Sequence, residues 1–314
     1  MKKKYVVTGG SGFIGSGLVR ALQARGDAAE IAVIDSLLTG FKKNLDGLTG
    51  VEFHQVDIRD YHAIAPVIAG ADTVFHLAAI PSVPKSIADP IPSHDVNING
   101  TFAVLRAAKD GGVRRVVYAA SSSAYGDTEV LPKVESMKPL PKSPYALQKL
   151  VGEYYCNVFT TCFGLETIGL RFFNVYGPRQ DPMSPYSGVL SLFMKHLIAR
   201  TTPTIHGDGG QTRDFTYVED VAGLVIKAST AGVPGTTYNA GNGGRYTLNE
   251  IWSMLQKIEG VEIQPNYGPG RAGDVRDSQA DTEAAKRELG HDPQFSIEEG
   301  LRRTLEWYKT SLKA

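Results

Sequence analysis

A glycine-rich turn between a short apolar run and a helical pattern most limits what this chain can fold into. The segment "VVTGGSGFIGSGL" holds both Gly10-x-Gly12-x-x-Gly15 and Gly9-x-x-Gly12-x-x-Gly15. Glycines there allow a tight bend, let a pyrophosphate approach the backbone and point the helix start at its charge. Asp35 ends the second apolar run, 20 residues after the last glycine, where a carboxylate can accept from ribose hydroxyls. The turn therefore predicts a dinucleotide-binding unit.

The charge at Asp35 bears on which dinucleotide is bound. A carboxylate at that point repels a 2′-phosphate, which favours NAD over NADP. Lys42 and Lys43 lie close by in the sequence and leave NADP open.

Short β-rich runs alternate with helical patterns through the first half of the chain. Helices are predicted at Phe13–Arg25, Tyr61–Ile68, Val96–Lys109 and from Ser143 onward. The runs between them are "KYVVT", "IAVID", "VEFHQVD", "TVFHLAA", "RVVYAAS" and "LETIGLRFF". These runs are too apolar to leave one face in water, so they indicate parallel strands covered by helices on both sides. The fold class is α/β, with a Rossmann-type doubly wound parallel sheet.

The rhythm changes after Phe173 into segments rich in proline and glycine. Helices then open with the capping-box patterns Thr247-x-x-Glu250 and Ser296-x-x-Glu299. We expect an NAD-binding Rossmann domain over residues 1–172, rejoined by about residues 213–240, and a smaller substrate-binding lobe over residues 173–314. A ligand cleft is expected between them.

Composition excludes several classes of protein. The chain has 33 basic and 33 acidic residues, so no overall field attracts it to nucleic acid or to a membrane surface. The apolar run after the basic N-terminus is too short for a signal peptide. The two cysteines, Cys156 and Cys162, lack metal-site spacing and are expected to be free thiols in a reducing cytoplasm, and no metal is expected.

The segment "SPYALQKL" predicts a helix that carries chemistry on one face. Ser143 is a suitable cap and Pro144 suits the first helical position. At about 100° per residue, Tyr145 and Lys149 share a side with Gly152 and Cys156. The opposite side is expected to hold Leu147, Leu150, Val151, Tyr154 and Val158. A serine cluster, Ser121 to Ser123, ends the preceding β-rich run, at the sheet edge where open α/β folds bind ligands.

With "HLAA" and "RFFNVYGPRQ", these segments resemble the extended short-chain dehydrogenase/reductase family, specifically its nucleotide-sugar 4-epimerase branch. The resemblance runs from Val6 to about Tyr308. It implies bound NAD, a UDP-sugar substrate and the catalytic residues Ser121, Tyr145 and Lys149. The implied cofactor-binding positions are Gly9, Gly12, Phe13, Ile14, Gly15, Asp35, Ser36, Leu37, Thr39, Gly40, Asp57, Ile58, Leu77, Ala78, Ala79, Asn97 and Phe173. The implied substrate-binding positions are Lys85, Ser122, Ser123, Asn174, Val189, Ile205, His206, Arg213, Arg271, Asp274 and Ser278.

The resemblance implies UDP-hexose 4-epimerisation through a 4-keto sugar. A tyrosine has a reference pKa of about 10, so as a base it needs nearby positive charge, which Lys149 and oxidised nicotinamide would supply. Arg213 and Arg271 are expected at the UDP diphosphate, with Asp274 at the uridine ribose. Ser278 is expected beside the sugar C2 substituent, where a small residue admits an N-acetyl group. The side of the helix opposite Tyr145 could be plain core; in the resembled family it joins the helix at about Val96–Lys109 in a four-helix contact between two subunits, which implies a symmetric homodimer.

Three other functions stay open at this point. Dehydratases of the family carry acidic residues directly after the catalytic Ser/Thr, where this chain has Ser122 and Ser123. UDP-glucuronate epimerases or decarboxylases need a cation near C6, which Arg179 or Lys85 could provide. A non-catalytic dinucleotide-binding protein is the remaining alternative.

Overall fold

A seven-stranded parallel sheet forms the centre of this computed structural model, which describes residues 3–181, 188–270 and 275–311. Its strands are β1 (Lys3–Thr8), β2 (Ala28–Ile34), β3 (Val51–His54), β4 (Thr73–His76), β5 (Arg115–Ser121), β6 (Glu166–Phe172) and, later in the chain, β11 (Thr236–Ala240). Their order is β11-β6-β5-β4-β1-β2-β3, and every pair is parallel. The order reverses beside β1, as in a doubly wound sheet, so the predicted fold class is confirmed.

The helices of the described residues cover both faces of this sheet or belong to a smaller lobe. They are α1 (Phe13–Arg25), α2 (Tyr61–Ile68), α3 (Val83–Ala88), α4 (Pro90–His94), α5 (Thr101–Asp110), α6 (Pro144–Phe163), α7 (Val189–Ala199), α8 (Val218–Ala228), α9 (Leu248–Glu259), α10 (Glu283–Leu289) and α11 (Ile297–Ser311). One buried cluster joins the sheet to α2, α5 and α6, and another joins it to α1, α8 and α10. Alternate side chains of each strand enter opposite clusters, as the period of two requires: Val6 enters the first and Val7 the second.

The sequence predicted the start of α6 well. Ser143 accepts a hydrogen bond from the Ala146 N–H at 3.2 Å, and Pro144 is the first helical residue. The bounds of α1 and α2 in the structure, Phe13–Arg25 and Tyr61–Ile68, are those that the sequence predicted.

The predicted continuous helix Val96–Lys109 is wrong in its first turn and a half. Residues Asp95–Gly100 form a π-helical segment, and α5 begins at Thr101. The side chain of Asn97 exchanges hydrogen bonds with the backbone of Ile80 and donates to Gln148 Oε1 at 2.9 Å, which holds the wider turn. Such segments are frequent at functional sites.

The side of α6 opposite Tyr145 is divided between surface and core. Leu147, Tyr154 and Val158 are exposed, whereas Leu150 is only 5% exposed and belongs to the core. Leu150 points about 60° to one side of Leu147 on the helical wheel, so it lies at the edge of the buried side.

The remaining elements form a smaller lobe. Short strands β7 (Val175–Tyr176), β8 (Thr204–His206), β9 (Thr212–Arg213), β10 (Thr216–Tyr217), β12 (Tyr246–Thr247) and β13 (Asn266–Gly268) pair two by two. Helices α7, α9 and α11 pack around a separate core that includes Phe193, Trp252 and Leu301. The segment 213–240 returns to the large sheet through β11. The domain boundaries themselves stay a prediction.

Candidate active site

The glycine-rich turn lies where β1 ends and α1 begins, pressed against the end of β4. Gly9 has a φ of +73°, and a Cβ there would come within 2.7 Å of the Ala78 backbone nitrogen. A Cβ on Gly15 would overlap the carbonyl oxygen of Gly9. Gly12 occupies the N-cap of α1 without a side-chain cap, so backbone N–H groups are presented at the helix start. Only glycines fit this approach of three backbone segments.

Asp35 follows β2 directly and fixes the turn from the side. Its carboxylate accepts the Ser11 N–H at 2.9 Å and the Leu37 N–H at 2.8 Å, and the residue is 7% exposed. Each oxygen keeps a second lone pair that can accept from a ribose hydroxyl. Gly40 closes the loop, because a Cβ there would come within 2.9 Å of Ser11.

At the far end of the cleft, Asp57 and Ile58 follow β3. Arg59 donates to both carboxylate oxygens of Asp57, at 3.0 and 2.7 Å, and this pairing holds the pKa of Asp57 below its usual value. Ile58 is buried, and a Cβ on Gly100 would come within 2.6 Å of its side chain. The π-helical segment thus packs against this pocket wall.

The three predicted catalytic residues line one cleft. Ser121 ends β5, and Tyr145 and Lys149 project from the first two turns of α6. Ser121 Oγ lies 2.8 Å from Ser123 Oγ and accepts the Ser123 N–H at 3.2 Å. Tyr145 is anchored through its own N–H, which donates to Ser86 Oγ at 3.1 Å. Burial raises the pKa of Tyr145, and a hydrogen bond with Ser121 opposes that rise.

Lys149 is buried behind the tyrosine. Its ammonium donates to the Ala119 carbonyl at 2.8 Å and lies 5.0 Å from the centre of the Tyr118 ring. Burial lowers the pKa of Lys149 to about 8, although the nearby Glu153 carboxylate acts in the opposite direction. Lys149 therefore remains mostly charged at neutral pH and supplies the positive charge that a phenolate needs.

A hydrogen-bond chain through His76, which the sequence did not predict, lies behind Lys149. Thr101 Oγ1 donates its one proton to Asn97 O at 2.7 Å, so it accepts from His76 Nε2, 3.0 Å away. The other ring nitrogen, Nδ1, then accepts from Thr8 Oγ1 at 2.7 Å. Burial, with the nearby charge of Lys149, lowers the pKa of His76 to about 3. The neutral ring on β4 therefore links β1 and α5 through hydrogen bonds.

The cleft has a volume of about 860 Å³ and collects most of the predicted cofactor positions. Those that line it are Gly9, Gly12, Phe13, Ile14, Gly15, Asp35, Ser36, Thr39, Asp57, Ile58, Leu77, Ala78 and Ala79. Leu37 and Gly40 lie in the loop behind it, Asn97 is turned to Ile80, and Phe173 packs on Tyr125 with its side chain fully buried. Direct cofactor contact by these last four residues stays a prediction.

The predicted substrate residues divide into three groups. Lys85, Ser122, Ser123, Asn174, Arg213 and Ser278 line the cleft. The structure does not place Val189, Ile205 or His206 there: Val189 and Ile205 pack in the core of the smaller lobe, and His206 Nδ1 lies 3.1 Å from the Pro269 carbonyl. Arg271 and Asp274 lie outside the described residues.

Asp214 is a structural centre of the substrate side that sequence reasoning missed. Its carboxylate accepts three backbone N–H groups, from Asn242 and Gly243 at 2.9 Å and from Ala280 at 3.0 Å. Its own carbonyl accepts from Asn174 Nδ2 at 3.3 Å. Burial raises the pKa of Asp214 to about 6 against these donors. Two loops are thereby tied to the residue that directly follows strand β9.

Lys133 and Arg179 also line the cleft; the sequence offered Arg179 only as a cation for a glucuronate substrate and did not single out Lys133. Lys133 is 2% exposed, and its ammonium donates to the Thr128 carbonyl. Burial lowers the pKa of Lys133. No spacing rule could find it, because it lies in an irregular loop that long-range pairing with Gln279 holds in place.

The turn, the carboxylate and the cleft together fit a dinucleotide. Glycines leave space against the backbone where a pyrophosphate binds, and Asp35 stands at the ribose position. Among the described residues, no group of three or more His, Cys, Asp or Glu side chains is placed to hold a metal ion. Across residues 3–181, 188–270 and 275–311, no helix has the length and apolarity needed to cross a membrane.

The fold and cleft define a dinucleotide-dependent enzyme class with a Ser-Tyr-Lys site. The profile of the NAD dependent epimerase/dehydratase family matches residues 5–241. The chain belongs to this family, which confirms the resemblance, and its cofactor is NAD.

Relatives match nearly end to end. A UDP-glucose 4-epimerase of Mycolicibacterium smegmatis is 36% identical over 97% of this chain and 98% of that protein. The solved UDP-N-acetylglucosamine 4-epimerase from Methanobrevibacter ruminantium M1, in complex with UDP-N-acetylmuramic acid, has a TM-score of 0.94 and 35% identity, covering 99% of this chain and 100% of that one. The UDP-glucose 4-epimerase from Thermotoga maritima with UDP-glucose also has a TM-score of 0.94 and 35% identity, covering 98% and 99%.

Proposed function

We propose that this chain is a UDP-hexose 4-epimerase that inverts C4 through a 4-keto intermediate with NAD bound. The observation that carries the proposal is the convergence of Ser121, Tyr145 and Lys149 on the cleft that begins at the glycine-rich turn. Relatives named as 4-epimerases of UDP-sugars support it over the full length of the chain.

In this mechanism the protein moves one proton and holds one oxygen. Tyr145 takes the proton from the sugar O4, because Lys149 stabilises the phenolate, and Ser121 hydrogen-bonds the same oxygen. NAD, when bound at the glycine-rich turn, would supply the acceptor and later the donor of the C4 hydride. If the keto sugar presents its other face, Tyr145 gives its proton back to O4 and the configuration at C4 is inverted. Net redox change is zero.

The test is Tyr145→Phe, which removes the hydroxyl and little else. We expect the variant to fold and retain NAD but to lose at least 10²-fold in kcat, since general acid-base groups contribute about 10² to 10⁴. Wild type should interconvert C4 epimers without consuming added NAD or releasing NADH. A loss under tenfold, or steady growth of free NADH absorbance, would contradict the proposal.

A dehydratase activity is the weaker alternative. Elimination across C5 and C6 needs an acid and a base beside the catalytic serine. Ser122 and Ser123 occupy those positions, and Ser123 Oγ lies 2.8 Å from Ser121 Oγ. Incubation with a UDP-sugar should therefore give no 4-keto-6-deoxy product.

We further propose that N-acetylated UDP-hexoses, UDP-GlcNAc and UDP-GalNAc, are accepted as well as or instead of the plain sugars. Ser278 lines the cleft, and its N–H donates to the Thr212 carbonyl at 3.2 Å, so its small side chain is held at the wall. Steric exclusion works by a clash against one substrate. Ser278→Tyr should suppress kcat/KM for the N-acetylated pair and largely spare the plain hexoses, while Ser278→Ala should spare both. Refusal of N-acetylated sugars by wild type would end this part of the proposal.

A symmetric homodimer is proposed through α5 and α6. Phe102 on α5 and Leu147, Tyr154 and Phe163 on α6 are 42–59% exposed, which is a large apolar stripe for a surface. Two copies related by a twofold axis would bury this stripe against itself. Tyr154→Glu should shift sedimentation to a monomer, whereas Tyr267→Glu, a matched change at an exposed tyrosine on the smaller lobe, should not.

We also propose a cytoplasmic location. Both cysteines of the chain are free, and Cys162 is exposed. Exposed thiols persist in reducing compartments. Cell fractionation with an antibody to the chain would test this.

A further inference from the structure

Arg179 combines a strained backbone with a side chain that the described residues do not fully satisfy. Its φ of +72° lies in the left-handed region, which costs a non-glycine residue about 1 kcal/mol or more. Its Nε is buried and has no hydrogen-bond partner among the described residues. Within the same part of the chain, its guanidinium forms no ion pair within 4.0 Å. Strain and a poorly compensated cation together mark a ligand-binding position.

The surroundings of Arg179 compensate its charge only in part. It lines the cleft with Gly12, Phe13 and Ile14, and it also lines a second cavity with Arg20 from α1 and Glu219 from α8. Burial, followed by the neighbouring Arg20, lowers the pKa of Arg179, although Glu219 acts in the opposite direction.

The start of α1 adds positive potential to the same place. Its first turn holds no acidic residue and its N-cap, Gly12, has no side-chain hydrogen bond. The macrodipole and unpaired N–H groups at a helix start attract anions and disfavour a cation. An anion that lies between the guanidinium and the helix start would be attracted by both.

We propose that Arg179 is a further cofactor-binding residue, whose guanidinium pairs with the diphosphate of NAD. The planar fork of arginine matches phosphate oxygens in pairs, and the diphosphate is the anion that the glycine-rich turn is shaped to receive. The helix start binds it with neutral N–H groups, and Arg179 supplies the positive charge.

The position of Arg179 favours the cofactor over the substrate as the source of the anion. It shares its second cavity with Gly17, Arg20 and Ala21 of α1, the helix that begins at the cofactor turn. Arg213, by contrast, lies on the β9 strand of the smaller lobe, where the UDP end of the substrate is expected.

The experiment compares NAD exchange from the purified holoenzyme in Arg179→Met and Arg179→Lys. Deuterium-labelled NAD is added without sugar, and mass spectrometry follows release of the unlabelled cofactor. We expect Arg179→Met to release NAD about 10- to 100-fold faster, the range of a lost hydrogen-bonded charge. Arg179→Lys keeps the positive charge but not the planar guanidinium, so its rate of NAD release should lie between those of wild type and Arg179→Met. Arg200→Met is the matched control, since Arg200 also has a left-handed φ, of +55°, but is exposed and pairs with Glu259.

A thermal readout separates cofactor binding from a purely structural role. The Tm of Arg179→Met should rise with added NAD, but the variant should need about 10- to 100-fold more NAD than wild type to reach a given Tm, because the stabilisation by a ligand depends on its concentration relative to Kd. A deficit in Tm that an about 100-fold higher NAD concentration does not offset would show that Arg179 only supports the fold. If Arg179→Met exchanges NAD at the wild-type rate and loses affinity only for a carboxylated UDP-sugar, then Arg179 binds the substrate and the proposal is wrong.

Discussion

A buried ion pair beside the catalytic helix gives a prediction whose size can be worked out. Arg171 on β6 donates from Nε and Nη2 to the two carboxylate oxygens of Glu153 on α6, at 3.0 and 2.7 Å. Their side chains are 6% and 5% exposed. The guanidinium also lies 4.5 Å from the centre of the Tyr125 ring. The perturbation is to remove either partner, Glu153→Leu or Arg171→Met, and then both together.

Each single change leaves a charge buried without its partner, which costs about 3–5 kcal/mol. At about 2.1 cal/mol/K per residue, this 314-residue chain has an unfolding entropy of about 0.66 kcal/mol/K, so Tm should fall by about 5–8 °C. The double variant removes both charges and keeps the volume apolar. Its unfolding free energy should lie within about 2 kcal/mol of wild type, including about 1 kcal/mol for the lost contact with Tyr125.

The assay is thermal unfolding of the four proteins with saturating NAD, combined as a double-mutant cycle. The expected coupling energy is at least about 4 kcal/mol, because the two single costs largely cancel in the double variant. A double variant destabilised by the sum of the two single changes would show that the charges do not depend on each other, and the reasoning would be wrong.

Three further predictions concern the site. Lys149 has a pKa of about 8, below its ordinary 10.5, so kcat/KM should fall above about pH 8 as the ammonium is lost. Glu153→Gln removes a negative charge that raises the pKa of Lys149. This variant should therefore lose activity at a lower pH than wild type in a pH-rate profile. Gly152→Ala places a methyl group 2.9 Å from Cε1 of the buried Tyr118 ring, so calorimetry should show a loss of about 1–3 kcal/mol and kcat should fall with it, whereas an unchanged Tm would mean that the helix has room to move. Asp214→Asn faces an amide NH₂ toward backbone donors, so KM for UDP-sugar should rise severalfold in steady-state assays with kcat nearly constant; an equal fall in kcat would contradict a positioning role.

Local rules predicted the fold wherever the decisive contacts are short in sequence. Ser143 and Pro144 set the start of α6, and the capping box of Thr247 and Glu250 sets the start of α9, because each uses hydrogen bonds within one turn. The π-helical segment escaped prediction because it depends on Asn97 bonding to the loop after β4, a contact that periodicity does not encode.

The site divides along the same line. Tyr145 and Lys149 could be paired from helical spacing, since four residues bring two side chains to one face. The roles of His76, Asp214 and Arg179 could not be predicted from spacing. They depend on whether residues distant in the chain bind these side chains. The sequence also left open whether the side of α6 opposite Tyr145 is core or surface, because burial of Leu150 depends on the neighbouring helices.

The position of β11 in the sheet has a consequence for how the chain reaches its final state during synthesis. β11 pairs with β6 in parallel: Thr236 lies opposite Ile168, and Ala240 lies opposite Phe172. The edge of β6 therefore stays open while the residues between β6 and β11 emerge from the ribosome. An apolar strand without a neighbour exposes unpaired backbone N–H and C=O groups, with which strands of other chains can pair. A chain stopped at Phe172 would hold the glycine-rich turn and both Tyr145 and Lys149, yet it should associate irregularly, because its last strand has no neighbour.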